Sequence, residues 1–127
     1  MTNNRILVVD DDPGLLAASA DQIQGLGYRV LTASDGVAAL DILEHEPTIC
    51  LLYTDVVMPK PWDGVALARE ALTRRPYLAV LFTSGEHREI TEPQAELLPK
   101  PVLLDRLAQA LRRALDAQTF STSTSKT

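Results

Sequence analysis

Asp10, Asp11 and Asp12 stand together directly after the apolar run Ile6-Leu7-Val8-Val9 and directly before Pro13-Gly14. A fourth carboxylate, Asp55, ends the run Ile49–Thr54. Two hydroxyls, Thr83 and Ser84, end Leu78–Phe82, and Lys100 follows Ala95–Leu98 with a proline on each side. Like charges crowded at the end of a buried segment repel one another. They are tolerable if a divalent cation sits among them, and Mg²⁺ takes one or two carboxylates, several waters and phosphate oxygens. A phosphoryl group in transfer also needs positive charge at its equatorial oxygens, which Mg²⁺ and Lys100 would supply, with Thr83 as a hydrogen-bond donor. Asp55 is then a candidate nucleophile, giving an aspartyl phosphate.

Such groups can meet only if the elements bring them together. Arg5–Val9 is a continuous β-branched run of the kind buried on both faces of a parallel sheet. Pro13 suits the first turn of a helix with Asp12 as its cap; Leu16, Ala20 and Ile23 recur at helical spacing, and Gly25 and Gly27 end the pattern. Arg29–Ala33 reads as a second strand, Ser34-Asp35-Gly36 as a turn, and Val37–Glu44 as a short helix with Ala39, Leu40 and Leu43 inward. Ile49–Thr54 is the third strand, and residues 55–64 (DVVMPKPWDG) form a loop. Val65–Arg74 is a helix with Leu67, Ala71 and Leu72 on its apolar face. Leu78–Phe82 is the fourth strand, and the polar stretch Thr83–Gln94 has room for about two helical turns. Ala95–Leu98 is a short fifth strand. Leu103–Ala117 is the clearest helix, with Leu104, Leu107, Leu111 and Leu115 a turn apart. The low-complexity stretch 118–127 reads as a disordered tail or linker, leaving 1–117 as the domain.

Alternating strands and helices imply an α/β fold: a doubly wound five-stranded parallel sheet with helices on both faces, the fourth helix shortened. In the flavodoxin-like order 2-1-3-4-5, strands one and three are neighbours and ligands sit outside the carboxyl ends of the strands. That order brings Asp10, Asp11, Asp55, Thr83, Ser84 and Lys100 to one spot.

Composition narrows the function classes. The chain has 127 residues, 12 Lys and Arg against 17 Asp and Glu, and a net charge of −5, which argues against a nucleic-acid surface. No apolar run approaches the roughly 20 residues that cross a bilayer, so no membrane insertion is expected. The N-terminus lacks signal-peptide features, and the single cysteine, Cys50, fits a reducing cytoplasm.

The stretches VVDDDP at 8–13, LLYTDVVMP at 51–59, DG at 63–64, LFTSG at 81–85 and LPKP at 98–101 resemble, in order and spacing, the receiver domain of bacterial two-component response regulators. The resemblance implies that Asp55 accepts a phosphoryl group from a histidine kinase or histidine phosphotransfer protein. It makes Asp10, Asp11 and Asp55 the carboxylates of a Mg²⁺ (or Mn²⁺) site, with Asp11 a direct ligand and Val57 adding its backbone carbonyl. Thr83 falls on the switch hydroxyl, Ser84 beside it on a small residue leaving room for phosphate, and Lys100 on the family's lysine, whose bond to Pro101 is typically cis. The implied protein is no conventional enzyme but a phosphoacceptor that assists its own phosphorylation and dephosphorylation and switches a protein-interaction surface. It is either a stand-alone regulator or the receiver of a hybrid histidine kinase, with an unknown downstream protein as reader and a homodimer as one assembly open to it. Two features depart from the pattern. Leu97 replaces the aromatic residue common three positions before the lysine, and the stretch from Thr83 to Lys100 is short. Output is therefore expected through the loop 83–94 and the face it forms with Leu103–Ala117.

Two other classes fit these residues less well. An aspartate-nucleophile phosphatase of the haloacid dehalogenase type needs a second Asp two residues after the nucleophile, where Val57 stands. A degenerate receiver used only for contacts would have lost the acceptor, the metal acids or the lysine, and all are present. His45 and His87 have no metal-ligand spacing and read as surface residues, Trp62 as a loop residue folded onto the surface, and Cys50 as packing.

Overall fold

The computed structural model describes residues 5–86 and 89–126, with 118–126 as backbone alone. The elements run β1 (Arg5–Val9), α1 (Pro13–Gly25), β2 (Arg29–Ala33), α2 (Gly36–His45), β3 (Ile49–Asp55), α3 (Gly64–Arg74), β4 (Ala79–Ser84), β5 (Glu96–Pro99) and α4 (Leu104–Lys126). All strand pairs are parallel, as the strand and helix alternation predicts, and the sheet order is β2-β1-β3-β4-β5, the flavodoxin-like order expected.

Side chains alternate across each strand, so the sheet has two cores. Leu7, Val9, Leu52 and Phe82 pack on one face with Ala39, Leu40 and Leu43 of α2 and Leu67, Ala68 and Ala71 of α3. Ile6, Val8, Leu51, Tyr53 and Leu81 pack on the other with Ile23 of α1 and Leu107, Ala110 and Leu111 of α4. Because the strands are covered on both sides, their sequences read as unbroken apolar runs.

Each of the first three helices begins at an aspartate that satisfies free amides. Asp12 accepts from Gly14 at 2.9 Å and Leu15 at 3.1 Å, Asp35 from Ala38 at 2.8 Å and Asp63 from Ala66 at 2.8 Å. These caps stop each strand-to-helix loop at a defined residue on the carboxyl edge of the sheet.

The expected shortened fourth helix is corrected by the structure: among the described residues, none between β4 and β5 is helical. Gly85 opens the segment, and Pro93 disfavours helical geometry in the residue before it. Ile90 and Ala95 instead pack as loop residues against the α2/α3-side core. Helices in the chain are therefore four among the described residues. The last helix also differs from its expected bounds. Its backbone runs on to Lys126, past Ala117. Residues 118–126 contain neither glycine nor proline, and each added helical residue gains a hydrogen bond. Among the residues whose side chains are described, Leu107, Ala110, Leu111 and Leu115 are buried and Leu104 is half exposed.

Candidate functional site

The carboxyl ends of β1, β3, β4 and β5 meet. β1 leads into Asp10 and Asp11, β3 ends on Asp55, β4 ends on Thr83-Ser84, and β5 is followed by Lys100. The register sets Asp55 beside Thr83. Backbone bonds lock this corner: Val56 N–H donates to the Thr83 carbonyl at 2.9 Å and Lys100 N–H to that of Ser84 at 2.9 Å. β4 extends through Thr83 and Ser84 because those carbonyls have partners.

Carboxylate oxygens of Asp10, Asp11 and Asp55 lie within 4.8 Å of one another. Asp10 and Asp55 are buried, whereas Asp11 is exposed. The Lys100 ammonium donates to Asp55 Oδ2 at 3.1 Å and to Asp10 Oδ2 at 3.4 Å. Asp10 Oδ1 accepts from Asp12 N–H at 2.9 Å and Asp55 Oδ1 from Val57 N–H at 3.3 Å. Burial raises the Asp10 pKa, the Asp12 amide and Lys100 oppose that, and Asp55 adds to it. Burial alone would lower the Lys100 pKa, but the bond to and charge of Asp55, with those of Asp10, outweigh it and raise the value. Three acids against one lysine leave a net negative cluster of hard oxygen ligands. Those ligands suit a small divalent cation.

Thr83 is buried and its hydroxyl has no hydrogen-bond partner. The Ser84 hydroxyl accepts from Glu86 N–H at 3.1 Å, so it caps the turn after β4. Leu97 is half-buried on the opposite face of the sheet, in the α2/α3-side core, and pairs in register with Phe82. The Lys100–Pro101 bond is cis. His45 is exposed and bonds the Asp41 carbonyl of its own helix at 2.9 Å; His87 lies outside the described residues. The half-buried Cys50 sits against the Arg5 carbonyl at 3.4 Å.

Three contributors escaped sequence reasoning. Gly64 lies so close to the end of β3 that an added Cβ would fall 2.2 Å from the Asp55 carbonyl oxygen and 2.8 Å from Val56 Cα. Its N–H donates to the Val56 carbonyl at 2.8 Å, pinning the start of the loop after β3 to α3. Gly36 opens room for Trp62, whose Cβ would stand 2.1 Å from a Cβ added there. Trp62 thus anchors the loop after β3 on the first turn of α2, in keeping with a loop residue folded onto the surface. The third is Tyr53, almost wholly buried, with its phenol near Thr83, Asp10 and Asp55; burial pushes that phenol up and favours its protonated form. The period-two pattern of β3 was the available signal, because it puts Tyr53 and Asp55 on one face.

A family model described as the response regulator receiver domain matches residues 6–112. The response regulator receiver protein CpdR of Brucella abortus is 33% identical over 119 residues, which cover 89% of this chain and 98% of that protein. The sensor kinase CckA of the same organism is 31% identical over 120 residues, 89% of this chain but 13% of the kinase. The chain therefore spans nearly all of one relative and a small part of the other. A solved receiver domain protein from Clostridium thermocellum superposes with a TM-score of 0.84 at 29% identity, covering 92% of this chain and 98% of that one. With this match across both sequence and fold, the chain belongs to the response regulator receiver domain family, the phosphoacceptor module of two-component signalling.

Proposed function

We propose that Asp55 is the residue that accepts the phosphoryl group, from the phosphohistidine of a histidine kinase or histidine phosphotransfer protein. The observation that carries this is the Lys100 ammonium held 3.1 Å from Asp55 Oδ2 amid acids clustered within 4.8 Å. An Asp55 oxygen attacks phosphorus, the bond from phosphorus to the histidine nitrogen breaks, and that nitrogen keeps the electron pair. Lys100 orients the carboxylate beforehand and meets a phosphoryl oxygen afterwards. Thr83 has a buried, unpartnered hydroxyl ready to donate to a second oxygen. Ser84, small and buried beside it, leaves space for the group. Asp10, Asp11, Asp55 and the Val57 carbonyl would hold Mg²⁺ or Mn²⁺, which when bound screens the acids and draws charge from the phosphoryl oxygens. The same residues would assist later hydrolysis of the aspartyl phosphate.

Residues 1–117 would act as the signalling unit, in the cytoplasm, as a stand-alone regulator or as the receiver of a hybrid kinase, with 118–127 as connection. Phosphorylation would bias two states of the segment 83–94 and its face with α4, read by a downstream protein or a second copy. Mass spectrometry after incubation with acetyl phosphate and Mg²⁺ tests the assignment. One phosphoryl group should appear in the wild type and none in Asp55→Asn, whose amide is a poor nucleophile. Label retained by that variant, or mapped to His45 or His87, would refute it.

A further inference from the structure

Thr83 and Tyr53 share the α1/α4 face of the sheet. Tyr53 pairs in register with Val8 on one side and Leu81 on the other, and Asp55 pairs with Thr83 one pleat further on. The Tyr53 side chain is 2% exposed, and its phenol end reaches the neighbourhood of the Thr83 hydroxyl and of the Asp10 and Asp55 carboxylates. No hydrogen bond of normal geometry joins the two hydroxyls here, and Thr83 Oγ1 is buried without a partner.

A hydroxyl has one proton to donate and two lone pairs to offer. If Thr83 donates to a phosphoryl oxygen, its lone pairs remain buried and unmet. The nearby donors are otherwise engaged: Lys100 points at Asp55 and Asp10, and Val56 N–H at the Thr83 carbonyl. The Tyr53 O–H remains. Leu97 cannot serve, because it packs on the opposite face and has no polar atom.

We propose that Tyr53 and Thr83 form a two-member hydrogen-bond relay to the phosphoryl group: Tyr53 O–H donates to Thr83 Oγ1, which donates its own proton to a phosphoryl oxygen. The relay rests on the reading of Asp55 as acceptor. Hydrogen bonds in series polarise one another in a low-dielectric interior, so the phenol strengthens the threonine as a donor. The aromatic partner of the switch hydroxyl then comes from β3, two residues before the acceptor, instead of from β5. Tyr53 is a positioning residue, since it acts through Thr83 and does not touch the phosphoryl group.

The test is a titration of the full chain with beryllofluoride, a phosphoryl mimic, at saturating Mg²⁺, followed by NMR. Tyr53→Phe keeps the ring and removes only the hydroxyl. It should weaken beryllofluoride binding by about 3- to 10-fold, the usual effect of one hydrogen bond. In a Thr83→Ala background the same change should alter binding by less than about 2-fold, because the relay is already broken. Equal losses in both backgrounds, or no loss in the wild-type background, would overturn the relay. A second readout needs no Thr83 variant: the Tyr53 ring carbon bearing the hydroxyl should shift when beryllofluoride is added to the wild type, and an unmoved resonance overturns the relay. If the wild type binds and Asp55→Ala does not, but Tyr53→Phe binds normally, the relay alone falls. If the wild type takes up no beryllofluoride, the acceptor reading falls with it.

Discussion

Replacing Asp10 by Asn removes one charge from the acid cluster while leaving an oxygen to accept from the Asp12 amide. Carboxylate oxygens of Asp10 lie within 4.8 Å of those of Asp11 and Asp55. At that separation each pair repels by roughly 3.5 kcal/mol at an effective dielectric of about 20, and by roughly 0.9 kcal/mol in bulk water. The attraction lost is that to Lys100 at 3.4 Å, about 5 kcal/mol and about 1.2 kcal/mol on the same two scales. Two repulsions outweigh one attraction at either limit, by about 2 kcal/mol or about 0.5 kcal/mol. Relief of Asp10's burial acts in the same direction. Asp10→Asn should therefore be more stable than the wild type in metal-free buffer near neutral pH, by about 0.5–2 kcal/mol, a rise of roughly 2–8 °C in Tm. The raised native pKa of Asp10 means that the folded chain binds this proton more tightly than the unfolded chain. Its stabilising effect is full below the ordinary value near 3.9 and is lost as pH rises through the raised native value, so the advantage of the variant should shrink in acid. Adding Mg²⁺ at about ten times its Kd should stabilise the wild type by about 1.4 kcal/mol and the variant by less. Urea unfolding with EDTA, then with Mg²⁺, measures all of this. A metal-free variant less stable than the wild type by more than about 1 kcal/mol would show that the ion pair to Lys100 outweighs the repulsion, and the reasoning would fail.

Two further substitutions probe how Asp55 is held. Gly64→Ala would set a methyl group 2.2 Å from the Asp55 carbonyl oxygen, so the backbone must move; a loss of about 1–3 kcal/mol in urea unfolding and a fall in phosphoryl incorporation are expected. Wild-type values of both would show that this close approach does not position Asp55. Lys100→Met leaves Asp10 and Asp55 without their cation and should cost about 1–3 kcal/mol, discounted from a fully buried pair because Lys100 is partly solvated. The Lys100 pKa is raised in the native state, so its contribution is full below the ordinary lysine value near 10.4 and lost as pH rises through the native value. The gap between wild type and Lys100→Met should close only in that alkaline window, and a gap already closed near neutral pH would exclude the pairing.

Strands, caps and candidate residues were legible because their signals are local. An unbroken apolar run ending in a turn residue specifies a buried parallel strand, and an aspartate before a helical pattern satisfies amides within a few residues of itself. Asp55, Thr83 and Lys100 could thus be placed at strand ends and Asp12 at a helix cap, and the alternation with helices implied a parallel sheet, while the strand order came with the flavodoxin-like pattern. Distances could not be read in this way. Lys100 bonds Asp55 and Asp10 across 45 and 90 residues of chain, and its reach depends on how far each strand extends and which carbonyls its neighbours satisfy. The segment after Gly85 shows the converse: its composition allowed two turns of helix, yet the chain packs Ile90 and Ala95 as loop residues. Gly36 against Trp62, Gly64 against Asp55 and Tyr53 near Thr83 join elements distant in the chain. Such contacts exist only once the sheet has assembled, because close packing is a property of surfaces brought together and not of any segment alone.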